Sequence, residues 1–355
     1  MSNVVLVTGG AGFIGSNFIR YYLGKHDDAV VVNLDKLTYS GNLTNLADLS
    51  DDSRYYFVKG DILDKSLLLD ILNGNYSDGQ KVNRVVHFAA ESHVDRSIKD
   101  SSPFVQTNIV GTQILLDATR EVYEKVEGFR FLHVSTDEVY GSLGAEGYFT
   151  ETTPISPNSP YAASKAASDL LVRSYYETYK MPLVTTNCSN NYGAYQFPEK
   201  LIPLMINNIV KGEALPVYGQ GVNIRDWLYV DDHCEAIDLV LEAGKLGDVY
   251  NIGGNNEWKN IDIVNLLCDM VDDSLSRERI SRNLIKYVTD RLGHDMRYAI
   301  DASKMKNELG WSPKYTFETG IKKTVEWYLE NNIWLEEVTS GSYQDYYNNH
   351  YGESK

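Results

Sequence analysis

The sequence predicts an α/β protein: a doubly wound parallel sheet with a smaller C-terminal α/β lobe that holds the substrate. Three observations predict it. Short apolar runs recur with helical stretches between them, a glycine-rich turn joins the first run to the first helix, and several runs end in polar residues. Polar groups at strand ends are what such sheets present to ligands, which bind outside the carboxyl ends of the strands.

Taken in order, "NVVLVTGG" is a strand, residues 13–24 are helical, and "VVVNLD" is a second strand, which together make one β-α-β unit. The alternation continues through "RYYFVKGD", ending in Asp61, "RVVHFAAES", ending near Glu91, "FRFLHVST", ending near Thr136, and "PLVTTNCSN", ending near Asn190. Helical stretches at 103–123 and 160–180 separate the later runs. After Asn190 the pattern loosens: "NYGAYQFPEK" is loop-like, 201–211 is helical, and "GEALPVYGQGVNIRDWLYV" reads as turns and short strands. Residues 229–252 read as a helix and strand that rejoin the sheet. The expected division is therefore a Rossmann-type domain over 1–190, rejoined by about 226–252, and a second lobe over 191–225 and 253–355. No internal repeat or low-complexity tract interrupts it, and the tail "YQDYYNNHYGESK" is rich in Tyr and Asn.

With 355 residues, 43% of them hydrophobic, the chain has enough apolar surface for two lobes. Its net charge of −16 opposes binding to nucleic acid or anionic membrane, so neither is an expected partner. An anionic ligand must then be met by locally placed Arg, Lys or helix N-termini. Cys188, Cys234 and Cys268 form no CxxC pair, which fits a reducing cytoplasm and speaks against a metal site. The N-terminus enters a strand at once and no run of about 18 apolar residues exists, so neither export nor a membrane span is expected.

In "TGGAGFIG", Gly10, Gly12 and Gly15 satisfy G-x-G-x-x-G, while Gly9, Gly12 and Gly15 give the G-x-x-G-x-x-G variant. Placed between a strand and a helix, such glycines let backbone amides approach a pyrophosphate. Asp35 closes the second strand about 20 residues on, where a carboxylate takes ribose hydroxyls and repels a 2′-phosphate, favouring NAD over NADP. Capping the loop "KLTYSGN" is the alternative role for Asp35. Asp61 either meets adenine or is an ordinary solvated acid.

"YAASK" puts Tyr161 and Lys165 four residues apart, on one helix face. An ammonium beside a phenol lowers the phenol pKa, which makes Tyr161 an expected base towards a sugar hydroxyl. "STDEVYG" follows a buried strand and sets Asp137 beside Glu138. Adjacent acids repel unless solvated or used, so this is either a solvated turn or a working pair.

The segments "TGGAGFIG", "HFAAESHVDRS", "STDEVYG" and "YAASK" are similar to the extended short-chain dehydrogenase/reductase superfamily acting on sugar nucleotides. The similarity runs over essentially the whole chain. "NCSNNYGAYQFPEKLIP", "VYGQGVNIRDWLYVDDH", "DRLGHDMRYAIDASK" and "LGWSP" resemble its sugar-nucleotide 4,6-dehydratases in particular.

That resemblance implies NAD as cofactor, dTDP-glucose as substrate and a homodimer. It implies Tyr161 as base at the 4-hydroxyl, Lys165 holding the phenolate and the nicotinamide ribose, and Thr136 orienting that hydroxyl. Glu138 is implied as the base at C5 and Asp137 as the acid at the 6-hydroxyl. Around the NAD it places Phe13, Ile14, Lys36, Leu37, Thr38, Ile62, Phe88, Ala89, Ala90, Ser92, Thr107 and Asn191. Ser92 and Asn190 are implied at the sugar, Lys200 and Leu201 beside the phosphates, and Pro216, Val217 and Tyr218 at the nucleobase. Arg225, Asn260, Asp290, Arg291, His294 and Arg297 are implied as the clamp on diphosphate and base, with Tyr351 closing the site.

Several of these keep a plainer alternative. His93 and His294 read more readily as hydrogen-bonded loop histidines than as catalysts, whereas Arg225 and Arg297, which could be surface ion pairs, are favoured as cations for a diphosphate on an acidic chain. "DRLGHDM" departs from the family pattern at Leu292, where Pro is common, and at Met296, where a basic residue is common. A 4-epimerase or decarboxylase of the same fold shares Tyr161 and Lys165 but needs no acid and base at C6 and C5. A 4,6-dehydratase for GDP-mannose or CDP-glucose keeps "TDE" and differs in the base pocket. A silent dinucleotide sensor needs none of these four groups.

Overall fold

The structure, a computed structural model, describes residues 3–340. The six apolar runs are β1 (Val4–Thr8), β2 (Val30–Asp35), β3 (Tyr55–Lys59), β4 (Arg84–His87), β5 (Arg130–Thr136) and β6 (Leu183–Cys188). The remaining strands are shorter: β7 (Asn190–Tyr192), β8 (Leu215–Tyr218), β9 (Ile224–Tyr229), β10 (Val249–Ile252), β11 (Glu257–Lys259) and β12 (Ile285–Val288).

Seven strands make one parallel sheet in the order β10-β6-β5-β4-β1-β2-β3. Its strands read as unbroken apolar runs because helices cover both faces. Val5, Val7, Val31 and Leu132 pack under Phe13–Lys25 and Val230–Ala243, while Val4, Leu6, Val32 and Phe131 pack under Lys65–Leu72, Thr112–Arg120 and Pro160–Tyr179. From β1 the chain builds outwards to β2 and β3, then crosses to β4 on the other side. That reversal opens a crevice at the carboxyl ends of β1 and β4, where doubly wound sheets bind ligands.

The helix expected over 103–123 is built in three pieces: Ser102–Phe104, a π-helical segment Val105–Gly111, and Thr112–Arg120. Wide turns of this kind recur at functional sites. Here Asn108, within the wide segment, donates to the Glu91 carbonyl and the Ser164 hydroxyl and accepts from the Glu91 amide, tying the crevice wall together.

The second lobe holds a three-stranded sheet, β11-β9-β7, and a parallel pair, β12-β8. Its core of Tyr192, Trp227, Ile263 and Phe317 is separate from the two faces of the large sheet. β9 pairs in this lobe, so the return to the large sheet begins at Val230 rather than near 226 and is completed by β10. The chain crosses back once more beyond 253: Ala302, Met305 and Trp311 join the core of the first domain. Trp334 then donates to Asn45 at 2.8 Å. Tyr351 lies outside the described residues.

Candidate active site

One cavity of about 440 Å³ lies across the carboxyl ends of the first six strands. Its floor is the glycine turn. Gly9 has a φ of +72°, which only glycine adopts without strain, and a side chain there would meet the Ala89 amide at 2.7 Å. A Cβ on Gly15 would fall 2.4 Å from the Gly9 carbonyl oxygen, so the helix packs onto its own turn only as glycine. Gly12 precedes the helix Phe13–Lys25, which has no side-chain cap and no acid in its first turn. Its free N–H groups and positive end face the cavity, a fit for a pyrophosphate.

Asp35 holds the loop and stands open to the cavity. Its carboxylate accepts from the amides of Leu37 at 2.8 Å and Ala11 at 2.9 Å, which shapes the loop, and it also lines the cavity. Leu37 takes part through this bond, at a φ of 56°, and not as lining. Lys36 pairs with Asp61 at 2.7 Å, and both reach the cavity, as do Phe13, Ile14, Thr38, Ile62, Phe88, Ala89, Ala90, Thr107 and Asn191.

Thr136 and Glu138 line the same cavity together with Tyr161 and Lys165. The strand β5 ends at Thr136, and its hydroxyl accepts from the Glu138 amide, turning the chain into Asp137–Tyr140. Asp137 is buried, 2% exposed, with one oxygen 3.3 Å from the Thr136 hydroxyl and the other without a partner. Burial, helped by the charges of Glu138 and Asp226, pushes its pKa well above the carboxylate range. Burial raises Glu138 as well, but Arg291, Lys200 and Arg225 all oppose it. The pair is therefore not a solvated turn: Asp137 sits where a carboxylic acid keeps its proton, Glu138 where three cations favour the ion.

Tyr161 departs from the expectation. Burial and the neighbouring Glu138 and Asp137 raise its pKa well above that of a free phenol, with Thr136 acting the other way. The Lys165 ammonium donates to the Val134 carbonyl at 2.9 Å. Burial lowers the pKa of Lys165 itself.

Towards the second lobe, Ser92, Asn190 and Lys200 line the cavity, and Lys200 donates to the Ser92 carbonyl at 2.8 Å. Leu201 opens the helix Leu201–Lys211. Pro216, Val217 and Tyr218 lie on β8, with the Tyr218 hydroxyl 3.1 Å from Asp95, which also faces Arg291 at 3.9 Å. Arg225 is buried over the Tyr298 ring, and the Asp290 carboxylate meets the His294 ring at 2.6 Å. Burial brings His294 down to about 4, so it is a neutral loop histidine. Arg297 forms an ion pair, its Nε and Nη2 binding Glu257 at 2.6 and 2.8 Å, and like Pro216, Val217, Tyr218, Arg225, Asn260, Asp290, Arg291 and His294 it lies outside the cavity lining. Leu292 and Met296, the two departures in that loop, both point to solvent.

Orphaned polar atoms mark the same region. Asn190, Asn191 and Asn260 each bury a side-chain oxygen without a partner, as Arg291 does its Nε. Such groups are costly unless a ligand or water completes them. Sequence reasoning missed Glu91, Gln106, Phe197 and Glu199 on the lining; Glu91 carried a hint in its place near a strand end, and Glu199 in standing beside Lys200 in "FPEK".

Comparison with known proteins places these features. Residues 6–324 match the family described as GDP-mannose 4,6 dehydratase. A dTDP-glucose 4,6-dehydratase of Xanthomonas campestris pv. campestris is 56% identical over 346 residues, covering 96% of this chain and 97% of that one. One of Shigella flexneri is 54% identical over 361 residues, 98% of each. A dTDP-glucose 4,6-dehydratase from Streptomyces venezuelae, solved with NAD bound, superposes with a TM-score of 0.86 at 49% identity, covering 94% of this chain and 99% of that chain. A UDP-glucose 4-epimerase from Thermotoga maritima reaches 0.80 at 28% identity, covering 93% and 99%. Fold alone thus spans both reactions, and it is the sequence shared along nearly the whole length that separates them: the chain belongs to the dTDP-glucose 4,6-dehydratase family.

Proposed function

We propose that the protein is an NAD-dependent hydro-lyase that converts dTDP-glucose to dTDP-4-keto-6-deoxyglucose. The observation that carries the reading is that Glu138 lines one cavity with Thr136, Tyr161 and Lys165, while the differently held Asp137 lies buried next to it, bonded to the Thr136 hydroxyl. An epimerase needs neither acid.

NAD, which the glycine turn, the start of Phe13–Lys25, Asp35 and Lys165 would hold, would supply a two-electron store and a positive ring charge that favours a phenolate. Tyr161 takes the proton of the 4-hydroxyl as the C4 hydride leaves, with Thr136 orienting the hydroxyl and Lys165 the ribose. The 4-ketone acidifies C5, and Glu138, kept ionisable by Arg225, Arg291 and Lys200, removes that proton. Asp137, kept neutral by burial, protonates the 6-hydroxyl as the C6–O bond breaks, and water leaves. Glu138 returns its proton to C5 when C6 is reduced. At the end Tyr161 holds one proton too many and Asp137 one too few. The Thr136 hydroxyl, which interacts with both, is the group through which the proton returns.

The reading extends to a homodimer in a reducing cytoplasm. All three cysteines are free and buried, no described helix is long and apolar enough to cross a membrane, and Val105, Leu170 and Tyr179 are exposed along 103–123 and 160–180, the helical stretches that would pair between subunits. The test of function is a panel of dTDP-glucose, GDP-mannose and CDP-glucose, each assayed for the alkali-induced near-ultraviolet absorbance of a 4-keto-6-deoxy sugar. Product from dTDP-glucose in large preference is expected, and an unchanged sugar after long incubation sinks the reading.

A further inference from the structure

Behind the cavity lies a buried polar chain that the reaction steps leave unused. Asp169 follows Lys165 by one turn on Pro160–Tyr179, so both face β5. Lys165 donates to the Val134 carbonyl at 2.9 Å, and the next residue, Ser135, donates to Asp169 Oδ2 at 2.9 Å. The strand that ends in Thr136 is thereby fastened to the helix at two points one turn apart. His133, fully buried, meets Asp169 Oδ1 at 3.1 Å through Nε2, while its Nδ1 has no partner. The proton is assigned to Nε2 on those partners, so His133 donates.

Asp169 has its own outlet. A second cavity of about 260 Å³ is lined by Asp169 with Tyr140, Glu151, Arg173, Asn187 and Asp248, and it shares no lining residue with the first.

We infer that Asp169 is a positioning residue for the reaction: held by Ser135 and His133, it is the counter-charge that keeps the Lys165 ammonium charged and in place, and it exchanges its proton through the second cavity. The inference rests on the role given above to Lys165. The other titratable groups packed around the pair are His87 on β4, His133 on β5, Cys188 on β6, Tyr140 and Tyr161, with Glu151, Arg173 and Asp248 in the second cavity. His87 and His133 are held neutral by burial, and the Cys188 thiol is pushed up to about 12, so none of these three gives Lys165 a negative neighbour near neutral pH. Burial raises Asp169 to about 7 against the pull of Lys165 and Ser135, which places its ionisation in the working range.

The test is Asp169→Asn, which keeps the shape and removes the charge, compared with Lys165→Met. The rate of cofactor reduction by dTDP-glucose is measured against pH. In Asp169→Asn the neutral inflection should vanish and the alkaline limit, set by loss of the Lys165 proton, should move down by about one pH unit, the size of a lost neighbouring charge. A profile parallel to the parent's, scaled or not, overturns the inference.

Thermal unfolding against pH gives a second readout. A carboxyl whose folded pKa is raised stabilises fully below its unfolded value, and that contribution is lost as pH rises through about 7. Asp169→Asn should lose less stability than the parent between pH 4 and about 7, and equal losses contradict the inference. If Asp169→Asn does not fold, Ser135→Ala replaces it: removing the bond that favours the ion should raise the neutral inflection, and no movement overturns the idea. Lys165→Met separates the two layers. Full cofactor reduction in that variant refutes the role of Lys165, whereas its loss beside an unchanged Asp169→Asn profile refutes only the role of Asp169.

Discussion

The two acids after β5 show how adjacent residues acquire opposite tasks. Asp137 has one oxygen at the Thr136 hydroxyl and one without any partner, in a buried setting beside Asp226. Glu138 is turned to the cavity and faces three cations. The pair itself was legible in "STDEVYG", but which member holds the proton was not, because Arg225 and Arg291 reach Glu138 from far along the chain. At this scale the roles separate by variant. Tyr161→Phe should abolish reduction of bound NAD by dTDP-glucose, followed by cofactor absorbance. Asp137→Asn and Glu138→Gln should still reduce the cofactor while slowing release of the keto sugar by about 10²- to 10⁴-fold, the usual worth of a positioned acid or base. Dehydration by both acid variants at the parent rate would remove them from the mechanism. The elevated Tyr161 pKa was hidden from "YAASK" for a similar reason: spacing brings Lys165 to the right face, but no local pattern announces the burial and the neighbouring Glu138 and Asp137 that raise the phenol.

At the scale of elements, the glycine turn is the most legible part of the chain, since its chemistry is local. Three glycines, a following helix and an acid at the next strand end lie within about 30 residues, the span of one β-α-β unit. Its tightness is testable: Gly15→Ala drives a methyl to within 2.4 Å of the Gly9 carbonyl oxygen. An overpacking cost of about 1 to 3 kcal/mol is expected, seen as a lower Tm together with loss of co-purifying NAD. A variant that keeps both would show that the turn has slack the geometry denies. The π-helical segment Val105–Gly111 was read only as helix, because its wide turn answers to Asn108 bridging Glu91 and Ser164, groups distant in sequence. β9 likewise reads only as one of the short strands of "GEALPVYGQGVNIRDWLYV", with no sign of its pairing with β7 and β11. Short strands carry too little pattern to name their neighbours.

For the whole molecule, the two lobes are held together by a chain that crosses between them repeatedly, with Trp311 packed in the first core and Trp334 bonded to Asn45. The site is assembled from both: the cofactor side from strand ends of the large sheet, the cationic side from Lys200, Arg225 and Arg291. In an acidic chain of net charge −16, these positive groups gather locally around Glu138 and offer an anion a place to dock. In solution the protein is expected at about twice its 40.1 kDa, with Leu170→Asp shifting light-scattering mass towards the monomer. An unchanged mass for that variant would place the interface elsewhere.

The central claim, that hydride leaves C4, water leaves across C5 and C6, and the hydride returns to C6, is tested most directly with dTDP-glucose carrying deuterium at C4. Nuclear magnetic resonance of the product should show the label in the C6 methyl group beside a C4 ketone. Label retained at C4 of an epimerised or unchanged sugar would contradict the account.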